Sequence, residues 1–193
     1  MEIIIHRINQ IYELKNIPYN YGTEIDIRSY NSDLILNHEP HLNGDKLKDY
    51  LEAYNHGTLI LNIKEAGIEL EVLDLIKKYN IKSYFLLDVE IPFLFQALKK
   101  NIREIAVRFS EYEPINFSYQ FKNLFDWVWI DTPSKLPINI NNINKLKYFK
   151  TCLVCPERWG REQDIHNYKK YIIENNVKIN AVMTSLKTSK YWI

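Results

Sequence analysis

The sequence predicts an α/β fold, a compact (β/α)8 TIM barrel forming a single domain over residues 1–193. Three observations carry that reading. Eight short runs rich in β-branched and aromatic residues recur along the chain, most are separated by stretches of helical period, and polar residues gather where the runs end. Strands that alternate with helices pair in parallel, each helix carrying the chain back across the sheet. Eight such strands point to a closed barrel. The alternative is an open doubly wound sheet, but no Gly-rich phosphate loop follows the first run.

The runs lie at 3–7, 23–28, 59–64, 84–89, 105–109, 127–131, 151–155 and 181–185. After the second, the turn formers Ser29, Asn31, Ser32 and Asp33 lead into Leu34-Ile35-Leu36, a short excursion that returns before a helix at 46–54. Ile68, Leu70, Val72, Leu73, Leu75 and Ile76 mark the next helix, which closes on Lys77 and Lys78. Two further helices are expected at 91–100 and 168–175.

Composition narrows the class. Apolar residues make up 46% and charged residues 25%, as in globular proteins, and the net charge is +1. That balance leaves no cation excess for a nucleic-acid or membrane-surface binder. Cys152 and Cys155 are the only cysteines, and an apolar run encloses both, so they are expected as buried core thiols. The N-terminus has no basic, leader-like start, and no run of about 18 apolar residues offers a membrane helix. A cytoplasmic location follows as an expectation; the oligomeric state is left open.

In a barrel, chemistry sits at the C-terminal ends of the strands. Here His6-Arg7 ends the first run, and Glu24, Asp26 and Arg28 share one face of the second. Asn62 and Lys64 share a face of the third. Asp88 and Glu90 end the fourth, Arg108, Ser110 and Glu111 the fifth, and Asp131 the sixth, while Glu157-Arg158 follows the seventh. Two carboxylates as close as Glu24 and Asp26 repel unless a cation lies between them. A hard divalent ion, Mg²⁺ or Ca²⁺, suits such a pair; the alternative is a salt-bridge network with Arg7, Arg28 and Lys64.

His6-Arg7, Glu24-x-Asp26, His38-Glu39-Pro40 and Asn62-Ile63-Lys64 together resemble, in order and spacing, the signatures of glycerophosphodiester phosphodiesterases. The resemblance covers residues 3–65; beyond them only the general barrel plan matches. It implies a metal-dependent phosphodiesterase acting on a small soluble diester and linked to lipid metabolism. It further implies that Glu24, Asp26 and position 62 hold the metal, that His6 and His38 are general acid and base, and that Arg7 and Lys64 bind phosphate. Position 62 is Asn where the family carries a carboxylate; Glu65, Asp88 or Glu157 could supply that charge. Ile8 replaces the family's glycine, and its Glu-Asn-Thr segment is missing. The second hypothesis is therefore a catalytically weakened barrel that binds a phosphorylated ligand or a protein partner. Asp88, Arg108 and Glu157 are candidates for an additional pocket, Arg108 either pairing with Asp88 or Asp131 or clamping a second anion. The loop 157–161 stands where barrels of this plan bind phosphate.

Overall fold

In a computed structural model that describes residues 1–193, the chain forms two compact units, Ile4–Lys100 and Met1–Ile3 with Asn101–Ile193. The first unit contains the second half of β1 (Glu2–Ile5), then β2 (Gly22–Tyr30), β3 (Asp33–Leu36), β4 (Asp45–Lys46), α1 (Leu47–Ala53), β5 (Leu59–Ile63), α2 (Glu69–Lys78), β6 (Tyr84–Leu87) and α3 (Ile91–Lys100). Nine residues long, β2 organises this unit. Its start pairs in parallel with β1, Ile4 opposite Gly22 and Ile5 opposite Thr23. Its other edge pairs in parallel with β5 from Thr23–Leu59 to Ile27–Ile63, and β5 pairs with β6. Beyond Ile27, β2 takes β3 as an antiparallel partner, and β3 in turn takes β4. Gly22 is required: a Cβ there would meet the Thr58 carbonyl oxygen at 2.1 Å.

Both faces are covered along β5 and along β2 from Gly22 to Ile27, where every residue is buried. The buried polar residues inside these stretches are Thr23, Glu24, Asp26 and Asn62. Thr23 is accounted for by a 3.0 Å hydrogen bond to the Tyr50 hydroxyl of α1. The other three are a buried polar group that needs a separate explanation.

The second unit runs β7 (Ala106–Phe109), α4 (Ile115–Tyr119), β8 (Trp127–Ile130), α5 (Ile143–Leu146), β9 (Lys150–Val154), α6 (Ile165–Glu174) and β10 (Ala181–Thr184). The strands pair in parallel in the order β7-β8-β9-β10. The Glu2 amide donates to the Asn180 carbonyl at 2.8 Å. Cys152 and Cys155 are buried and unbridged, as expected. The Trp192 indole donates to Cys155 Sγ at 3.1 Å, and burial pushes that thiol up to about 12, which keeps it unreactive.

Each of the eight runs is a strand. Helix 91–100 matches α3, and 46–54 contains α1. The helix expected at 168–175 begins earlier, at Ile165, because a 3-10 turn at Glu162–Asp164 feeds into it. No helix is long and apolar enough to cross a membrane.

Candidate active site

The pleat of β2 puts Glu24 and Asp26 on one face, and each is 1% exposed. Parallel register sets Asn62 of β5 opposite Asp26. The Asn62 Nδ2 donates to Glu24 Oε1 at 2.8 Å and to Asp26 Oδ1 at 3.3 Å, leaving its own Oδ1 buried without a donor. Just past β5, Lys64 Nζ stands 3.2 Å from Asp26 Oδ1 and 3.9 Å from Asp88 Oδ2.

The segment after β1 closes the other side. The Arg7 backbone N–H donates to Glu24 Oε2 at 2.7 Å, and its Nε lies 3.4 Å from Asp26 Oδ2. Arg7 adopts a left-handed backbone, φ 57°. Asn9 grips Asp26 at two points: its Nδ2 donates to Oδ2 at 2.9 Å, and its Oδ1 accepts the Asp26 backbone N–H at 2.8 Å. His6 Nε2 is 3.8 Å from Glu24 Oε2. Every carboxylate oxygen of the pair therefore faces a protein donor.

Burial raises Glu24 from its ordinary 4.5 to about 7, and the Asp26 charge adds to the rise. The hydrogen bonds from Asn62 and the Arg7 amide, with the Lys64 charge, oppose it. Glu24 thus exchanges its proton near neutrality, where acid–base chemistry operates.

His38 follows β3, beginning one residue beyond Asn37, whose amide donates to the Asp26 carbonyl at 3.0 Å. Its ring Nδ1 is 2.7 Å from Glu39 Oε1. Arg28, sequence-adjacent to the carboxylates, does not pair with them. Its guanidinium donates to the His38 carbonyl at 2.9 and 3.1 Å and to the Lys64 carbonyl at 3.2 Å, stapling one strand end to the other. Of the expected salt-bridge network, Arg7 and Lys64 take part and Arg28 does not. Glu65 is likewise drawn aside, accepting the Ser29 amide at 2.8 Å.

Arg108 and Glu157 belong to the second unit and have partners there. Arg108 takes Asp131 at 2.6 Å, one of its expected pairings, and Glu113 at 2.9 Å. Asp131 also accepts the Trp159 indole N–H at 3.0 Å and the Thr132 amide at 2.8 Å. Glu157 accepts from the Ser185 amide at 2.7 Å and from Thr184 and Thr188. In the loop 157–161, Arg161 is held by Tyr168, Asp164 and the Thr132 carbonyl. Sequence reasoning passed over Asn9, which lies outside any strand; its one signal is a polar side chain two residues after His6-Arg7.

No family model matches the chain, and no curated protein matches it in sequence. The fold does have a solved counterpart. A crystal structure of a glycerophosphoryl diester phosphodiesterase from Parabacteroides distasonis aligns with a TM-score of 0.69 over 98% of this chain and 85% of that one. The fold is shared. At 11% identity the likeness is one of fold.

Proposed function

We propose that the chain is a single-domain barrel phosphodiesterase acting on a small glycerophosphodiester-type substrate. The observation that carries the reading is His6 beside the buried Glu24, with Arg7 and Lys64 flanking the same carboxylate pair. The shared fold and the motif order support it.

In this reading Arg7 and Lys64 receive the phosphodiester anion and stabilise the charge that builds on its oxygens. Glu24 orients the His6 imidazole, which removes a proton from the attacking oxygen, that of water or of a neighbouring substrate hydroxyl. His38 donates a proton to the departing alkoxide, its ring fixed through Nδ1 by the Glu39 carboxylate. Attack by water gives a phosphomonoester and an alcohol. Attack by a neighbouring hydroxyl gives a cyclic phosphate.

The divalent ion implied by the resemblance meets a poor donor set. Two carboxylates converge, but Asn62 turns its NH2 towards them and Lys64 stands at 3.2 Å. Asp88 faces Lys64, and Glu65 accepts the Ser29 amide. The residues as arranged do not fit the ion, and the steps above use none.

Hydrolysis of glycerophosphocholine and of an aryl phosphodiester tests the proposal beside His6→Ala. The variant is expected to lose about a hundredfold or more in rate while staying folded. Activity that persists in His6→Ala removes the mechanism. The pairing of Lys64 with Asp26 favours a second reading, binding of a phosphorylated ligand or protein partner without turnover. Saturable binding of a phosphodiester with no product would select it.

A further inference from the structure

We infer that this site is charged by the protein itself: Lys64 and Arg7 hold the position of a divalent cation, and the Asn62 and Asn9 amides complete the shell around Glu24 and Asp26. The inference deepens the phosphodiesterase reading, but its metal-binding half stands apart from any activity.

The charge count is the first support. Glu24 and Asp26 carry two negative charges when ionised, and Lys64 and Arg7 bring two positive ones to 3.2 and 3.4 Å from Asp26, Lys64 being shared with Asp88 at 3.9 Å. Cations already held at that range weaken the pull of the buried pair on a divalent ion. The second support is lone-pair occupancy. Glu24 Oε1 takes Asn62 Nδ2, Oε2 takes the Arg7 amide, Asp26 Oδ1 takes Lys64 and Asn62, and Oδ2 takes Asn9. A cation entering between the carboxylates would have to displace Lys64 from Asp26 and turn the Asn62 amide over. Turned over, Asn62 would bring its oxygen into the 2.8 and 3.3 Å contacts now made by its NH2. Without the ion that arrangement is repulsive. Nowhere in the chain do three or more His, Cys, Asp or Glu side chains form a group able to hold a metal.

The position at which the sequence departs from its resemblance thus has a physical meaning. A carboxylate at residue 62 would add a third negative charge and demand a metal. An amide there supplies a donor and removes the demand.

The test is a metal titration of the whole protein, wild type and Asn62→Glu, with Ca²⁺, Mg²⁺ and Mn²⁺, followed by thermal unfolding. Wild type is expected to show no saturable shift in Tm. Asn62→Glu is expected to gain one of about 5–10 °C at a hundredfold excess over its Kd. Saturable wild-type binding that Glu24→Gln abolishes overturns the inference; binding that survives Glu24→Gln lies elsewhere and leaves it standing. Should Asn62→Glu fail to fold, the wild-type titration still decides. Turnover is measured in parallel with EDTA present. Activity retained in EDTA supports the inference, and activity lost in EDTA and restored by Mg²⁺ opposes it. Absence of activity under all conditions counts against the phosphodiesterase reading alone.

Discussion

The carboxylate pair of the first unit and the Asp131 cluster of the second are built from the same chemistry and differ in how their charges meet. Asp131 draws Arg108 from β7 and Trp159 from the loop after β9, besides the amide of its own neighbour Thr132, so both side-chain partners are free to settle at their preferred distances. Glu24 and Asp26 have no such freedom. The pleat of one strand forces both carboxylates to the same buried face, and neighbours must then be recruited to hold them there. A cluster whose repulsion is imposed by covalent geometry needs a reason outside stability. One whose members pair at will does not.

The sharpest break between the two comes from substitutions that remove a charge from each. Lys64→Met leaves the buried pair short of a cation, with an expected cost of about 3 kcal/mol in urea denaturation and loss of turnover. Asp131→Asn weakens the Arg108 contact for about 1–2 kcal/mol and leaves turnover unchanged. Equal losses of activity in both variants would erase the distinction.

A smaller effect sharpens it through pH. Glu24 is raised to about 7 in the folded chain, against 4.5 for the free group, so the folded state keeps a proton that the unfolded chain gives up. The stability this lends is fully present below about 4.5 and is lost as pH rises through about 7. Turnover should move the other way, because His6 is oriented by ionised Glu24. Denaturation midpoints from pH 5 to 8 should therefore fall while kcat/KM climbs. Glu24→Gln should flatten the stability slope.

The strands were legible in the sequence because most are short runs of β-branched and aromatic residues, and even the excursion Leu34-Ile35-Leu36 stands out as β3. The short elements were not. With two residues in β4, five in α4 and four in α5, no periodicity can develop. At the site, His6, Arg7, Glu24, Asp26, Asn62 and Lys64 were legible from alternation and motif order, and the structure gathers them. Asn9 was hidden because its reach depends on a loop whose path turns at Arg7. Which end of the Asn62 amide faces the carboxylates is decided by electrostatics among three side chains, and no spacing rule encodes that.

Arg7 leaves one consequence. Its φ of 57° costs a side-chain-bearing residue about 1–2 kcal/mol, a penalty glycine escapes. Arg7→Gly should therefore relax the backbone and preserve the amide bond to Glu24, yet remove the guanidinium from Asp26. If Arg7→Gly loses catalysis but less thermal resistance than Lys64→Met, the relaxed dihedral angle offsets part of what the missing charge costs.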